Sequence, residues 1–428
     1  MREKEIATKE LKKLIRGYFR KRKKDFIPGK TKIPLNVPSF GWEEVNEALE
    51  SMLTTNVTMG KKVHFFEKFF AEYIGVNYAV MLNSGSSANL IALSLLSNPR
   101  FSNQTNLSGE IITPAVTWST TVSPIIMTNN VPVIVDVNLD TYNIDTKKMK
   151  NAINRKTKAI MPVHLLGNPC DIETIVEIAN DNDLFVIEDT CESYGAEFKG
   201  KKVGSFGDLA TVSFFFSHHI TTIEGGMLLT NNEEYSELAK SLRAHGWIRE
   251  LTYKNALIKK YKDIDEKYIF YNIGYNLRPT EIQGAFGIHQ IKKLDKFIEI
   301  RRRNAKYWSK KFQKYSEFLI LPHEKPRNKH VWFGYPLTIR QSAPFNKKDL
   351  INFLTKKKIE TRPIMSGDIT QQPFLKERLF KYKISGDLQN SKIIMGNSFF
   401  FGNHHGIGKV EKKFIAESIS DFIESKID

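Results

Sequence analysis

The stretch AIMPVHLLGNPCDIETIVEIANDNDLFVIED, residues 159–189, contains two short apolar runs separated by a helix-like segment. Residues 159–163 and 184–187 are strand candidates, and residues 171–180 are a helix candidate. The same alternation of short strand candidates and longer helix candidates continues towards the N-terminus, at residues 110–113, 131–137, 63–73 and 87–96. This order predicts an α/β fold with a mostly parallel sheet between helices. We expect functional side chains at the carboxyl ends of the strands.

The chain divides into three predicted parts. Residues 1–35 are basic and then rich in proline and glycine, which predicts an N-terminal helix followed by an arm. Residues 36–290 contain the strand–helix alternation and form the predicted large domain. Residues 291–428 form the predicted connector helix and a smaller α+β domain. Their candidate elements are a long helical region at about 279–312, a strand at 331–338 and helices at 347–356 and 410–423.

The composition limits the classes of function. The formal net charge of +17 is compatible with nucleic acid, membrane headgroups or an anionic substrate, although a lysine-rich solvated surface is the simpler explanation. No nucleic-acid motif accompanies the charge, so we expect no nucleic-acid partner. Without an apolar run of roughly 18 residues or the apolar core of a signal peptide, we expect a cytoplasmic protein with no membrane insertion. Cys170 and Cys191 are too few for a disulfide framework or a four-cysteine iron–sulfur cluster.

The stretch SFFFSHHITTIEGG, residues 213–226, carries the strongest chemical signal. The paired histidines His218 and His219 beside a glycine turn are unusual in a purely structural loop and indicate acid–base or metal chemistry. A metal site would need a third ligand, such as His164 or His245. The sequence contains no recognised zinc spacing, so we expect no metal.

Three further positions are compatible with a cofactor that has a phosphate and an aromatic ring. The stretch SGSSAN, residues 84–89, opens a helix and could bind phosphate, although a serine-rich helix cap is an ordinary structural feature. Asp189 ends a buried strand and could pair with a ring nitrogen or cap the next turn. Trp118 could stack on the ring or pack in the core.

Together these motifs resemble those of the DegT/DnrJ/EryC1/StrS family of sugar aminotransferases, from about Leu35 to the C-terminus. The resemblance rests on TMGKKVHFFEKFFAEYIGVNYAVMLNSGSSANL, PAVTWSTT, VHLLGNP, VIEDTCES, SFGDLATVSFFFSHHITTIEGG, RAHGW and GYNLRPTEIQGAFG. It implies an aspartate-aminotransferase-like fold and pyridoxal phosphate as cofactor. Most members carry a cofactor-binding lysine five residues after the serine of the central motif. Counting five from Ser213 gives His218.

The histidine changes the expected reaction. No lysine occurs between Lys202 and Lys240, and imidazole cannot form a Schiff base. The chain is therefore similar to the dehydratase branch of the family. This resemblance implies C3 dehydration of a nucleotide-linked 4-keto-6-deoxyhexose, with GDP-4-keto-6-deoxy-D-mannose as the expected substrate. Glutamate would regenerate pyridoxamine phosphate, as a step in dideoxysugar and O-antigen synthesis. Because residues 249–271 contain no cysteine, the branch without an iron–sulfur cluster is implied.

The resemblance also implies roles for individual residues. His218 would be the catalytic base. The cofactor would contact Gly85, Ser86 and Ser213 at its phosphate, Trp118 by stacking, Asp189 at the pyridine nitrogen, Glu192 near the ring hydroxyl, and Asn276 across a homodimer interface. His245 and His219 are candidates for substrate contact, and packing is the alternative for both.

Other functions stay compatible with the sequence. An aminotransferase could recruit a remote lysine, and a catalytically silent protein could keep the fold and bind a nucleotide sugar. CDP-linked or other 4-keto sugars could replace the GDP-linked substrate.

Overall fold

The computed structural model describes residues 2–20, 26–100 and 108–427. The helices of these residues are α1 Arg2–Arg20, α2 Trp42–Leu53, α3 Lys61–Ile74, α4 Gly85–Leu96, α5 Ser119–Met127, α6 Thr146–Ala152, α7 Ile172–Asn180, α8 Glu233–Arg243, α9 Lys254–Lys260, α10 Glu281–Gln290, α11 Leu294–Phe312, α12 Lys347–Lys356, α13 Pro373–Lys376, α14 Gln389–Asn397 and α15 Lys409–Glu424. The strands are β1 Tyr78–Leu82, β2 Glu110–Pro114, β3 Val131–Val135, β4 Thr157–Ile160, β5 Phe185–Asp189, β6 Glu197–Phe198, β7 Lys201–Lys202, β8 Leu209–Ser213, β9 Gly226–Thr230, β10 Leu319–Ile320, β11 Asn328–Lys329, β12 Gly334–Ile339, β13 Thr361–Pro363, β14 Lys383–Ser385 and β15 Ser398–Gly402.

The largest sheet has eight strands in the order β1-β9-β8-β5-β4-β2-β3-β14. Strand β9 pairs antiparallel with both β1 and β8, whereas the other neighbouring strands pair in parallel. Only β9 therefore runs against the common direction of this sheet. The predicted α/β fold with a mostly parallel sheet is confirmed.

Helices cover both faces of this sheet because alternate strand residues point to opposite sides. Ile111 of β2 packs in one apolar cluster with Ile91 of α4. Its neighbour Ile112 packs in another cluster with Ile175 of α7. A strand with both faces buried needs apolar residues at every position, which explains the unbroken apolar runs in the sequence.

The C-terminal part contains a second sheet, with the antiparallel order β10-β12-β15-β13. Its core joins Trp308 of α11, Tyr335 of β12, Phe401 of β15 and Ile419 of α15. Strand β14 also comes from this part of the sequence but pairs with β3 of the large sheet. The chain therefore crosses back from the predicted small domain to the large sheet. A third, small sheet has the order β11-β6-β7.

Two predicted elements differ from the structure. The helical region predicted at 279–312 is divided into α10 and α11 by a 3-10 turn at Ile291–Lys293. The strand predicted from residue 331 begins at Gly334, because Trp332 has a left-handed φ of 53°. The flanking Val331 and Phe333 N–H groups instead donate to the carbonyls of Gly167 and Leu166.

The predicted N-terminal helix is present as α1 and packs against α2. The cationic groups of Lys12 and Arg16 lie over the Trp42 ring, 5.6 and 5.2 Å from its centroid. Within the described ranges, no helix has both the length and the apolar character needed to cross a membrane.

Candidate cofactor site and histidine loop

The predicted cofactor-binding residues of the large sheet lie at one edge. Gly85 follows β1, Trp118 follows β2, Asp189 ends β5, and Ser213 ends β8. These four strands run in the same direction, so their carboxyl ends meet at this edge, where α/β sheets bind ligands.

The first turn of helix α4 and Ser213 form a candidate phosphate-binding cradle. The Ser84 hydroxyl caps the helix by accepting a hydrogen bond from the Ser87 N–H at 3.1 Å. The N–H groups of Gly85 and Ser86 belong to the first turn, where no carbonyl of the same helix can accept them. A Cβ on Gly85 would lie 2.4 Å from the Ser213 Cβ. Glycine therefore lets Ser213 approach the helix terminus, where an anion is favoured.

We expect Gly85→Ala to weaken cofactor binding. The added methyl group must displace Ser213 or the helix terminus, and forced overpacking of this kind costs about 1–3 kcal/mol. Fluorescence titration of the apoprotein with pyridoxal phosphate measures the change. Gly75→Ala is an unsuitable control because Gly75 has a φ of 88°, whereas Gly396, which has open space around it, gives the matched Gly396→Ala variant. Equal affinities of the two variants would contradict the cradle.

Asp189 is held by a polar network that the sequence did not predict. Its Oδ2 atom accepts hydrogen bonds from the Thr121 hydroxyl at 2.9 Å and the Asn89 amide at 3.2 Å. Its Oδ1 atom accepts from the Cys191 N–H at 3.2 Å. The residue is buried. Donors to both oxygens fix the direction of this carboxyl group, as a partner for a ring nitrogen requires. Asn89 and Thr121 lie within the motifs SGSSAN and PAVTWSTT.

Glu192 and Trp118 border the same edge. The Glu192 Oε2 atom accepts a hydrogen bond from the Leu166 N–H at 2.8 Å, and burial raises the pKa of this carboxyl to about 8. Glu192 is therefore mostly protonated at pH 7 and can donate a hydrogen bond. Trp118 precedes α5 and is 59% exposed. Such an exposed indole is unusual for a core tryptophan and presents a face for stacking.

The histidines lie in a loop, residues 214–225, that connects β8 to β9. The Phe214 N–H donates to the Gly225 carbonyl at 2.9 Å, and the Thr222 N–H donates to the Phe214 carbonyl at 3.0 Å. The Tyr194 hydroxyl bonds to both the N–H and the carbonyl of Ile220. The loop is therefore fixed at both ends and at its inner side.

His218 is a neutral, partly buried imidazole. Its Nδ1 atom is buried and has no hydrogen-bond partner in the described structure. The ring lies 5.3 Å from the ring of Phe333 and 6.3 Å from that of Phe215. Burial, followed by the positive charge of Arg301, lowers the pKa of His218 to about 3. A neutral imidazole with an unpartnered nitrogen has the form that accepts a proton.

His219 points into the core instead. It is fully buried, its Nε2 atom lies 3.2 Å from the Val331 carbonyl oxygen, and its ring contacts Tyr194 edge to face. A substrate contact would require this side chain to leave the core. Packing is the alternative that the geometry favours, and the substrate role stays a prediction.

Asn276 and His245 lie apart from the histidine loop. Asn276 lines a cleft of about 510 Å³ together with Trp247, Arg249 and Arg278, and His218 does not line it. His245 packs edge to face on Trp247, and its N–H donates to the Tyr275 carbonyl at 2.6 Å. Leu277, next to Asn276, accepts a hydrogen bond from the Asn83 N–H at 3.0 Å, whereas the Asn276 side chain accepts from Arg278 Nε at 3.1 Å.

The lysines that flank the histidine loop are engaged elsewhere. Lys202 lies over the ring of Tyr73 at 4.9 Å, and the Lys240 ammonium donates to Glu237 at 2.7 Å. Among the described residues, no group of three or more His, Cys, Asp or Glu is arranged to hold a metal ion.

Glu188 stabilises the end of β5, next to Asp189. This fully buried carboxylate accepts hydrogen bonds from the N–H groups of Gly204, Phe206 and Gly207, each at 2.8 Å, and contacts His164 Nε2 at 3.0 Å. Burial alone would raise the pKa of Glu188, but His164 and the N–H donors lower it.

We expect Glu188→Gln to lower the free energy of unfolding by about 2–3 kcal/mol at pH 7, because an amide places a donor against N–H groups. The pKa of Glu188 is lowered by folding, so its contribution is present above the unfolded pKa and is lost as the pH falls. Urea denaturation should therefore show the wild type and variant converging in strongly acidic buffer. A gap that is constant with pH would contradict a charged Glu188.

The largely parallel sheet, the cradle at α4 and the buried carboxylate at the end of β5 define a pyridoxal-phosphate enzyme of the aspartate-aminotransferase-like class. The model of the DegT/DnrJ/EryC1/StrS aminotransferase family matches residues 39–420, and the chain belongs to this family.

Three relatives are particularly similar. The GDP-4-keto-6-deoxy-D-mannose 3-dehydratase of Yersinia pseudotuberculosis is 40% identical over 386 residues, which are 87% of this chain and 95% of the relative. A solved GDP-4-keto-6-deoxymannose-3-dehydratase, a His→Asn mutant with bound GDP-perosamine, has a TM-score of 0.84 and 36% identity and covers 90% of this chain and 99% of its own. Another, with a trapped pyridoxal phosphate–glutamate geminal diamine, has a TM-score of 0.85 with the same identity and coverage.

Proposed function

We propose that this protein removes the C3 hydroxyl of GDP-4-keto-6-deoxy-D-mannose, with pyridoxal and pyridoxamine phosphate as cofactor and glutamate as amine donor, in dideoxysugar biosynthesis. The observation that carries the proposal is His218, a neutral imidazole at the position of the family lysine, in a chain that keeps the cradle and Asp189. A decayed, silent protein would not be expected to keep them all. The similar relatives support the reaction and the nucleotide.

The residues of the cofactor site fit the cofactor. Phosphate would bind the N–H groups of Gly85 and Ser86 and the hydroxyl of Ser213, where a Cβ at residue 85 would fill the cradle. Asp189 would pair with the pyridine nitrogen, and Trp118 would cover one face of the ring. When bound, pyridoxamine phosphate supplies an amine for the sugar ketone and an electron sink for departure of the neighbouring hydroxyl.

The proton transfers would belong to His218. Because imidazole cannot tether the cofactor, its free ring nitrogen can accept a proton beside the sugar and return it to the departing C3 hydroxyl. Protonated Glu192 would donate a hydrogen bond near the ring hydroxyl. No external reductant is required.

We also propose a homodimer in which each site uses residues of both chains. Two features support it: Trp118 is 59% exposed, and exposed Asn276 lines a cleft that His218 of the same chain does not line. A two-fold interface would bring Asn276 of one copy to the cradle of the other.

Subunit mixing tests the shared site. We expect His218→Gln and Asn276→Ala homodimers each to lose most activity, whereas mixed dimers regain up to half the wild-type activity per dimer because one of their two sites is intact. The control mixes His218→Gln with Asp189→Asn. If Asp189 and His218 of one chain belong to the same site, each site of this mixed dimer carries one defect and activity should not recover. The same recovery is expected only if the two residues belong to different sites. Recovery in that control, or none in the first mixture, would contradict the arrangement.

The direct test of function is incubation with pyridoxal phosphate, glutamate and GDP-4-keto-6-deoxy-D-mannose. We expect 2-oxoglutarate, ammonia and a sugar nucleotide that has lost one oxygen, detected by mass spectrometry. An amino sugar would instead identify an aminotransferase. Turnover of only CDP-linked 4-keto sugars would correct the nucleotide, and the His218→Gln variant controls for spontaneous reaction.

A further inference from the structure

Arg301 on α11 is a buried cation without an acidic partner among the described residues. Its side chain is 1% exposed, and no ion pair within 4 Å involves it. The Nη1 group donates to the carbonyls of Trp332 at 3.3 Å and Phe333 at 2.8 Å, and also to that of Asn403. Its Nε group has no hydrogen-bond partner. Burial of a charge without an acidic partner is costly, so these hydrogen bonds to carbonyls are what stabilise the guanidinium.

The carbonyls that Arg301 binds belong to a strained turn beside the histidine loop. Trp332 has a left-handed φ of 53°, which is unfavourable for a residue with a bulky side chain. The next side chain, Phe333, lies against both histidines, 5.3 Å from the His218 ring and 5.8 Å from the His219 ring. Asn403 strengthens the turn by donating to the Arg301 carbonyl at 3.1 Å and to the Trp332 carbonyl at 3.4 Å. Arg301 thus fixes the backbone that holds Phe333 against His218.

We propose that Arg301 is a positioning residue for His218: its hydrogen bonds to the Trp332 and Phe333 carbonyls hold the Phe333 ring against the imidazole, and its charge lies directly behind this turn. This inference builds on the proposed dehydratase function, since it assigns the control of the base in the same site. Arg301 itself acts through His218 and the turn, from α11 behind them.

Besides burial, Arg301 is the group that lowers the pKa of His218. The other histidines near Arg301 and its turn come from the histidine loop, from the segment before Trp332 and from the segment after β15: His219, His330, His404 and His405. Burial lowers the pKa of each, to about 3 for His404 and about 4 for His405, so all are neutral at pH 7. The pKa of Arg301 is lowered to about 10 by burial, so Arg301 stays charged. The carboxyl groups of the site, Asp189 and Glu192, lie at the end of β5, and Glu192 is mostly protonated.

The pH profile of dehydration separates the charge from simple packing. In Arg301→Gln, removal of the cation should raise the pKa of His218, so the acidic limb of kcat should move to higher pH by about one unit. Arg301→Lys keeps the charge and should keep the limb, with a lower plateau because the shorter, non-planar lysine side chain does not place its ammonium where the guanidinium places Nη1. The adjacent Arg302→Gln is the matched control, since Arg302 pairs with Glu324 and binds the His330 carbonyl. The proposal would be overturned if the acidic limb of kcat stayed in place in Arg301→Gln, or if it moved by the same amount in Arg302→Gln.

Direct titration of His218 tests the inference without an activity assay. In the wild-type holoenzyme labelled with 13C at histidine Cε1, the resonance that is absent from His218→Asn should remain that of a neutral ring down to pH 5. In Arg301→Gln it should titrate at higher pH. Titration above pH 6 in the wild type would refute the proposal, even if Arg301→Gln fails to fold. A neutral His218 in a protein that does not dehydrate the sugar would instead refute only the proposed function.

Discussion

His218→Lys is expected to abolish dehydration and to attach the cofactor covalently. The substitution places a primary amine five residues after Ser213, and an amine can condense with pyridoxal phosphate where imidazole cannot. It also removes the base, whose contribution is typically about 10²–10⁴ in rate. After borohydride reduction, intact-mass spectrometry should find one reduced cofactor per chain in the variant and none in the wild type.

The matched control for this experiment is His218→Gln. It removes the base without adding an amine, so dehydration should fall by about 10²–10⁴ while the cofactor stays removable by dialysis. Any gain of amino-sugar product should be confined to the lysine variant. Dehydration by His218→Lys at the wild-type rate would remove His218 from the mechanism.

The fold and the centre of the site were predictable because their signals are local in sequence. The polar side chains of the candidate site lie at or just after the ends of the apolar strand segments, as Glu188 and Asp189 follow Ile187 at the end of β5. The parallel arrangement then brings such residues together at one edge, however far apart they are in the chain. His218 stood out through the family resemblance, because it lies five residues after Ser213, where most members carry the lysine.

Contacts between distant segments were not predictable. Asn89 and Thr121 bond to Asp189 across 100 and 68 residues, and each looks like an ordinary helix residue in the sequence. Arg301 lies in a basic run, Arg301 to Arg303, that resembles a solvated face, but helical geometry turns only Arg301 fully inward. Strand β14 has three residues, too few to show an alternating pattern.

Asp189→Asn is expected to lower the rate of dehydration by about 10²–10³, because it replaces the buried carboxylate that we propose as the partner of the pyridine nitrogen. The rate should fall more in Asp189→Asn than in a variant that lacks a single hydrogen bond to Asp189. An asparagine whose oxygen takes the Oδ2 position can still accept from Thr121 and Asn89, but its amide then faces the Cys191 N–H, which is also a donor. We also expect the variant to retain the cofactor less well. Dialysis measures the retention, and the rate of product formation measures dehydration.

Two variants distinguish charge from packing in this result. Asp208→Asn makes the same chemical change at a carboxylate that accepts from the Val186 N–H at 2.9 Å, just before β8 and thus at the opposite edge of the sheet. It should leave the rate nearly unchanged. Thr121→Val keeps the Asp189 charge and removes one donor, so its rate should fall by only about tenfold, the equivalent of roughly 1.4 kcal/mol. If all three variants lost activity equally, the effect would be one of sheet stability. A large loss of rate in Asp189→Asn, a smaller loss in Thr121→Val and none in Asp208→Asn would show that dehydration needs the charge of Asp189. The hydrogen bonds around Asp189 would then serve to hold that charge in place.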